Sequence, residues 1–337
     1  MRDFSNVDAM WADALGQLLT KNVRYQSRVG QMTEARSYQA TLADLDRTFL
    51  LNPRRALSPQ YASVELLWYL SGRRDVEMLV PYAPSYFKYA EGYQAWGAYG
   101  WRWLNDPAFL QESQDSPMGQ LHAAIGLLRE KPHSRQAVVT MWNAGDLPHA
   151  LTGDKADLPC TLTWQFLHRG GDLHMICTMR SEDAWLGMPY DIYVNTCVQR
   201  LVAEATGTEV GTYTHQVGSL HLYSKYSVAA TEAIGPRSLA EAESASSLHR
   251  HSDKTSGWTP NRTGNLQACV ASALHAEKSA RLGWENTWEE WLFELRENVG
   301  TDNPLHDSAC VCAMKWVRLP YHTIRSPLLR EAVLLTR

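Results

Sequence analysis

Cys160 lies in Asp157-Leu158-Pro159-Cys160-Thr161. Twenty residues on comes Arg180-Ser181-Glu182-Asp183, and eight positions past Asp183 stands Asp191. A thiol can attack as a nucleophile, a guanidinium can hold phosphate in a planar fork, and a carboxylate can read a base or move a proton. These types at these intervals suggest an enzyme that attacks a nucleotide base covalently. A free cysteine has a pKa of about 8.5, so at neutral pH only a few per cent is thiolate unless a cation or a helix terminus lowers it. Arg180 is the nearest candidate cation.

The elements around these residues follow from periodicity. Val7, Met10, Trp11, Leu15, Leu18 and Leu19 form a helical stripe over Asn6 to Leu19, and Val64 to Leu70 predicts a second helix ending at Ser71-Gly72. Residues 137–142, 161–167 and 173–179 read as strands, with Arg169-Gly170-Gly171-Asp172 as a hairpin turn between the last two. The thiol then begins one strand and the arginine ends its partner. Pro189 to Thr206 predicts a long helix with Asp191 near its first turn. Residues 235–266 read as loop or linker, and 266–298 and 326–336 as helices. The resulting class is α+β, a buried sheet with helices on one side.

With 337 residues and 45% hydrophobic content the chain can bury a large core. A net charge of −4 and a pI near 6.3 give no general attraction for nucleic acid, so an anionic substrate needs a local arginine cluster, and duplex binding is not expected. The start, Met1-Arg2-Asp3-Phe4-Ser5-Asn6, has no apolar signal core, and no apolar run approaches the roughly twenty residues of a membrane span, so a cytoplasmic protein is expected. Six cysteines without framework spacing predict free thiols. Cys310-Val311-Cys312 lacks the gap and the second ligand pair of a zinc site, and no metal is expected.

Residues 134–226 resemble the thymidylate synthase family, and most closely its phage branch, the deoxycytidylate hydroxymethylases. Ser134-Arg135, Trp142-Asn143, Pro159-Cys160, Arg180-Ser181 with Asp183, Leu186-Gly187 and Val217-Gly218-Ser219-Leu220-His221-Leu222-Tyr223-Ser224 carry the likeness. Upstream, Glu65-Leu66-Leu67-Trp68-Tyr69-Leu70 and Tyr99-Gly100-Trp101 fit the same pattern in the same order, so the similarity spans roughly residues 5–235. It implies a large mixed sheet packed with helices, one sheet face forming a homodimer interface. The expected organisation is a catalytic domain over 1–235, a linker over 236–265, and a helical C-terminal extension over 266–337 packed on the catalytic domain.

The resemblance also implies roles. Cys160 adds to carbon 6 of the pyrimidine, which makes carbon 5 nucleophilic toward a one-carbon unit from 5,10-methylenetetrahydrofolate. Arg28, Arg180 and Ser181 hold the phosphate, with Arg135 reaching in from the second subunit; where the family carries a second arginine, this chain has Gln136. His221 and Tyr223 bind the sugar 3′-hydroxyl, which leaves both dCMP and CMP open. Glu65 organises water and protons beside the base, while Asp183, Leu186, Gly187 and Tyr86 lie on the folate side, and Tyr99 and Trp101 line the pocket or belong to the core. Asp191 replaces the asparagine that reads uracil. An ionised carboxylate only accepts, which fits an amino-protonated cytosine edge; the plainer alternative is a helix cap. Asp157 and Thr161, in place of an aliphatic residue and a histidine, suggest that water rather than folate hydride quenches the intermediate. The expected activity is thus a (deoxy)cytidylate 5-hydroxymethyltransferase. A C5-methyltransferase and a catalytically silent nucleotide- or RNA-binding regulator are the alternatives.

Overall fold

The computed structural model describes residues 2–105, 119–155, 157–238, 240, 266–283, 295–299, 304–316, 319, 323–324 and 326–335. Its seven-stranded sheet consists of β1 (Asp3–Phe4), β2 (Arg24–Gln26), β3 (Gln31–Leu42), β4 (Val138–Thr140), β5 (Thr161–Arg169), β6 (Asp172–Asp183) and β7 (Glu209–Tyr223). The spatial order is β1-β3-β7-β6-β5-β4, with β2 also paired to β3. The β1–β3 and β6–β7 pairs are parallel and the others antiparallel, so the sheet is mixed and the class is α+β.

The β5–β6 hairpin turns at Gly170 and Gly171, whose φ values of 65° and 99° are ones that a side chain would oppose. Along β6, Leu173, Met175, Cys177 and Met179 are buried, while His174, Ile176 and Thr178 point to a half-exposed face. Helices α1 (Val7–Leu19) and α6 (Met188–Thr206) cover the buried face. Polar ties fix α6 there: Asn195 donates to the Tyr213 hydroxyl at 2.9 Å, and Gln199 donates to the Leu173 carbonyl at 2.8 Å. Trp11 of α1 donates to the carbonyl of Ala184, just past β6, at 2.6 Å.

Helix α2 (Pro59–Leu70) starts with Ser58 accepting from the Tyr61 N–H and Pro59 in the first turn, a favourable helix start. Ten of its twelve residues are buried, because α3 (Tyr99–Asn105), α6 and the C-terminal α8 (Leu266–Leu282), α9 (Pro304–Ala313) and α10 (Pro327–Leu335) all pack on it. Gly100 of α3 is so close that a Cβ there would lie 1.8 Å from the Tyr69 carbonyl oxygen. The remaining helices are α4 (Gln120–Glu130), α5 (Asp146–Thr152) and α7 (Ser227–Ala233), with a 3-10 turn at Pro84–Tyr89.

A buried ion pair braces the loops on the catalytic side. Arg102 is 2% exposed and Asp146 fully buried, and the guanidinium meets both carboxylate oxygens at 2.7 Å. Arg102 also donates to the carbonyls of Met141 and Trp96, while Asp146 accepts from the Trp96 indole and the Asn143 N–H.

Several boundaries differ from the sequence reading. β3 and β7 were not expected as strands: both lose their alternation at one place, where Ser37 (φ 57°) and Gly218 are skipped in the pairing and the inward phase resets. Arg180 does not end its strand, since β6 continues to Asp183. Of the helical stretch expected over 266–298, residues 266–282 and 295–298 are helical, the first run ending at Leu282, where Gly283 takes φ 64°; 284–294 lie outside the described residues. Residues 236–238 and 240 of the expected linker are helical, and 241–265 lie outside the described residues.

Replacing Asp146 with Asn would strand the buried Arg102 charge. We expect a loss of about 3–5 kcal/mol, the range for breaking one partner of a buried pair, read as a shift of the urea midpoint; a shift worth under about 1 kcal/mol would mean that the pair is not a brace.

Candidate active site

Cys160 immediately precedes β5, and the Arg180 N–H donates to the Cys160 carbonyl at 2.8 Å, tying the two residues across neighbouring strands. The Arg180 side chain then folds back over the same loop. Its Nε donates to the Pro159 carbonyl at 2.8 Å, one Nη donates to Leu158 at 3.1 Å, and that nitrogen lies 3.7 Å from the Cys160 Sγ. Trp142 stacks against the guanidinium, 5.4 Å from ring centre to Cζ. On the other side, the Tyr99 hydroxyl accepts the N–H groups of both Cys160 and Thr161 at 3.1 Å. The nucleophile candidate is therefore held by its backbone from two directions, and the residue is half-buried.

Burial pushes the Cys160 thiol up to about 12; Arg180 opposes the shift, while the negative charges of Glu182, Asp191 and Asp157 add to it. Arg180 thus acts in the expected direction, but burial outweighs it, and in the free protein the group is a thiol at neutral pH.

Three carboxyl groups act on it, and a fourth, that of Glu65, lies in the field of Asp191. Glu65 on α2 is 7% exposed, accepts the Tyr61 hydroxyl at 2.7 Å, and is pushed up to about 8 by burial and then by the charge of Asp191. Asp191, in the first turn of α6, is raised well above the carboxylate range by burial and by contact with Glu182. Glu182 of β6, 3% exposed, is itself pushed up to about 8 by burial. The two carboxyls meet over Gly187, where a Cβ would fall 2.8 Å from Glu182 Oε1 and 3.3 Å from Asp191 Oδ2. Behind Glu182, His215 is fully buried and pushed down to about 4 by burial, with its Nε2 3.3 Å from Glu182 Oε2. Asp157 is half-buried and pushed up to about 6, burial outweighing the Gly97 N–H it accepts. The Tyr86 hydroxyl is raised by burial and then by the charges of Asp157 and Glu65, so it lies in the field of both.

The anion-binding candidates fall at the same edge of the sheet, with one exception. Ser181 Oγ lies 3.5 Å from His221 Nδ1, and the His221 and Tyr223 rings meet edge to face at 5.0 Å. The β2–β3 turn carries Arg28 to this end, because Met32 of β3 pairs with Tyr223. Arg135 is the exception. It stands exposed ahead of the edge strand β4, and among the described residues its side chain has no interaction with Cys160, Arg180 or Ser181. On the expected folate side, Asp183 Oδ1 accepts the N–H groups of Trp185 and Leu186 at 2.9 Å, which shapes the turn into α6 and leaves Leu186 38% exposed.

The thymidylate synthase family profile matches residues 9–255. The chain belongs to the thymidylate synthase family. Membership carries folate-dependent one-carbon transfer to carbon 5 of a pyrimidine nucleotide, with methylenetetrahydrofolate as cosubstrate. In this family member the matched span takes in the whole sheet from β3 to β7 and every candidate residue named above.

The sequence reading missed several residues of the site. Glu182 and His215 were given no role, although a Glu two positions from the candidate phosphate ligand on a strand shares its face of the sheet. Tyr61 sits four residues before Glu65 on one helix, a spacing that brings side chains together. Arg55, which donates to the Trp185 and Leu186 carbonyls and lies over the Trp185 and Tyr190 rings, had no local signal at all. Among the described residues no group of three or more His, Cys, Asp or Glu could hold a metal ion, and no helix is long and apolar enough to cross a membrane.

Because the folded state holds the Glu65 proton up to about pH 8, it binds more protons than the unfolded chain above the ordinary carboxylate range. Stability from this group is therefore full in acid and lost as pH rises toward 8. Glu65→Gln should flatten the fall of unfolding free energy between pH 5 and 8 by up to about 1.4 kcal/mol per pH unit, the slope of one proton. Parallel denaturation curves for the two proteins across that range would contradict a raised Glu65.

Proposed function

We propose that this protein is a cytidylate 5-hydroxymethyltransferase, acting on dCMP or CMP. The observation that carries the reading is Asp191, a carboxylate where a uracil reader needs an amide, set among Glu65, Glu182 and the thiol of Cys160. Cytosine presents an exocyclic amine that a carboxylate can accept, whereas a uracil carbonyl facing the same oxygen would lose its partner, at about 1–3 kcal/mol for an unsatisfied group.

The chain's own residues suit the steps. Cys160 attacks carbon 6 as a thiolate, with Arg180 and the nucleotide's protonation state offsetting the burial that disfavours it. The remaining Arg180 donor, Arg28 and Ser181 bind phosphate, and His221 and Tyr223 the sugar 3′ position. Methylenetetrahydrofolate, when bound, supplies a one-carbon unit at the oxidation level of formaldehyde. The exposed Leu186 beside Asp183, whose second oxygen makes no hydrogen bond among the described residues, suits a flat heterocycle with N–H donors, and Tyr86 and Gly187 complete that wall. Asp157, with a proton affinity near neutrality and a seat against Gly97, can orient or activate a water. That polar wall favours water over hydride as the quencher, and so a hydroxymethyl over a methyl product.

The half-exposed sheet face bearing His174, Ile176, Thr178, Gln165 and Gln216 is the surface on which a homodimer would form, with Arg135 completing the partner's phosphate site. The described residues of 266–337 read as an extension that closes over α2.

Mass spectrometry of products from dCMP, CMP and dUMP with methylenetetrahydrofolate tests the reading: a hydroxymethylated cytidylate and no dihydrofolate are expected, and a methylated product with stoichiometric dihydrofolate would overturn it. Asp191→Asn should shift the cytidylate-to-dUMP ratio of kcat/KM by at least tenfold toward dUMP; a change within about threefold, under about 0.7 kcal/mol, would remove Asp191 as the base reader. Mixing Arg135→Ala with Cys160→Ser chains should regenerate wild-type sites in heterodimers, and verified heterodimers without rescue would put Arg135 outside the partner's site.

A further inference from the structure

Asp191 does not face the base alone. Glu182 reaches it from β6, across Gly187, and the two carboxyls are in direct contact in an enclosure from which water is largely excluded. Glu65 from α2 and Asp183, next along β6, bring two more carboxyl groups to the same place. Two like charges in contact there cannot both persist, so the pair holds a proton between them.

The residues behind the pair decide which atom carries that proton. Asn195 donates to the Tyr213 hydroxyl at 2.9 Å, and that hydroxyl lies 2.8 Å from His215 Nδ1, the strongest acceptor within its reach. With Nδ1 accepting, the neutral imidazole carries its hydrogen on Nε2. Nε2 faces Glu182 Oε2 at 3.3 Å, out of line for a hydrogen bond, and both buried atoms are without a hydrogen-bond partner among the described residues. A small rotation of the imidazole or the carboxyl pairs these two atoms, with Oε2 accepting, and that leaves Oε1, the oxygen beside Asp191, to bear the proton.

We propose that Glu182, held from behind by His215, is a specificity-determining residue for the base: it donates to Asp191 and keeps that carboxylate an acceptor toward the nucleotide, which selects the amino edge of cytosine over the carbonyl edge of uracil. Without Glu182, a lone Asp191 in the same enclosure takes up a proton itself. A protonated carboxyl offers one donor and one acceptor, and by placing its hydrogen on either oxygen it complements both bases. Glu182 is a positioning residue in this scheme, since it touches Asp191 and not the substrate. The inference rests on the cytidylate reading above.

The test is kcat/KM for dCMP, CMP and dUMP with saturating folate, in wild type, Glu182→Leu, Glu182→Gln and His215→Phe. Glu182→Leu should lower the cytidylate-to-dUMP ratio at least tenfold. Glu182→Gln, whose amide still donates to Asp191 and whose carbonyl still accepts from His215, should keep the ratio within threefold. A merely structural role would depress all three substrates together and leave the ratio unmoved. If Glu182→Leu fails to accumulate as folded protein, the other two variants decide: the ratio kept in Glu182→Gln and lowered in His215→Phe supports the scheme, and either result reversed overturns it. A wild-type enzyme that prefers dUMP would overturn the cytidylate reading and this inference with it, whereas cytidylate preference with an unchanged ratio in Glu182→Leu would overturn this inference alone.

Discussion

The site depends on one guanidinium. Arg180 hydrogen-bonds to two carbonyls of the loop that carries Cys160 and lies against the thiol, while its backbone N–H pairs with the Cys160 carbonyl. A planar fork with donors in fixed directions can do this and a lysine cannot, because an ammonium has no geometry to match two carbonyls and a sulfur at once. Trp142 holds the plane of the fork, and the loop that carries Trp142 is in turn held by the Arg102–Asp146 pair through Met141 and Asn143. A chain of contacts therefore runs from a fully buried ion pair, through an aromatic ring, to the nucleophile.

The second governing effect is the removal of water from acidic groups. Glu65, Glu182 and Asp191 are raised by burial first, Glu65 and Asp191 next by a neighbouring carboxyl, and the thiol is raised by the same enclosure. Such a site stores protons at neutral pH, which suits chemistry in which a base ring must gain and lose them as a thiol adds and leaves. The arrangement is unfavourable to folding at high pH, and the extensive apolar packing of α2 and α6 around it offsets that cost.

How much of this could be read from the sequence depended on whether the signal was local. The β5–β6 hairpin, the α6 helix with Asp191 in its first turn, and the motif around Cys160 were legible because turn glycines, helical spacing and short motifs lie within a few residues of one another. β3 and β7 were hidden by the break in alternation at Ser37 and Gly218. Glu182 and His215 are 33 residues apart and, on the parallel strands β6 and β7, lie five positions out of register, with Leu220 opposite Glu182 and Cys177 opposite His215, so they meet only because their side chains reach toward each other along the sheet. Arg55 reaches Trp185 across 130 residues through loop geometry. No periodicity carries contacts of that kind.

Helix α2 offers a last consequence. Glu65 lies in the field of Asp191 on one side of it, and on its other sides lie α8, α9 and α10, where the Cys312 Sγ approaches the Gln60 carbonyl at 3.9 Å and Trp316 donates to Tyr82 just beyond the helix. A helix with ten of its twelve residues buried behaves as a rigid keel: it has little solvent-facing surface along which a substitution could be absorbed. Adaptation of this scaffold to a different nucleotide must therefore run through its rim, the 84–93 segment with Tyr86 and the 157–160 loop with Asp157, where side chains are half-exposed and a change of shape has somewhere to go.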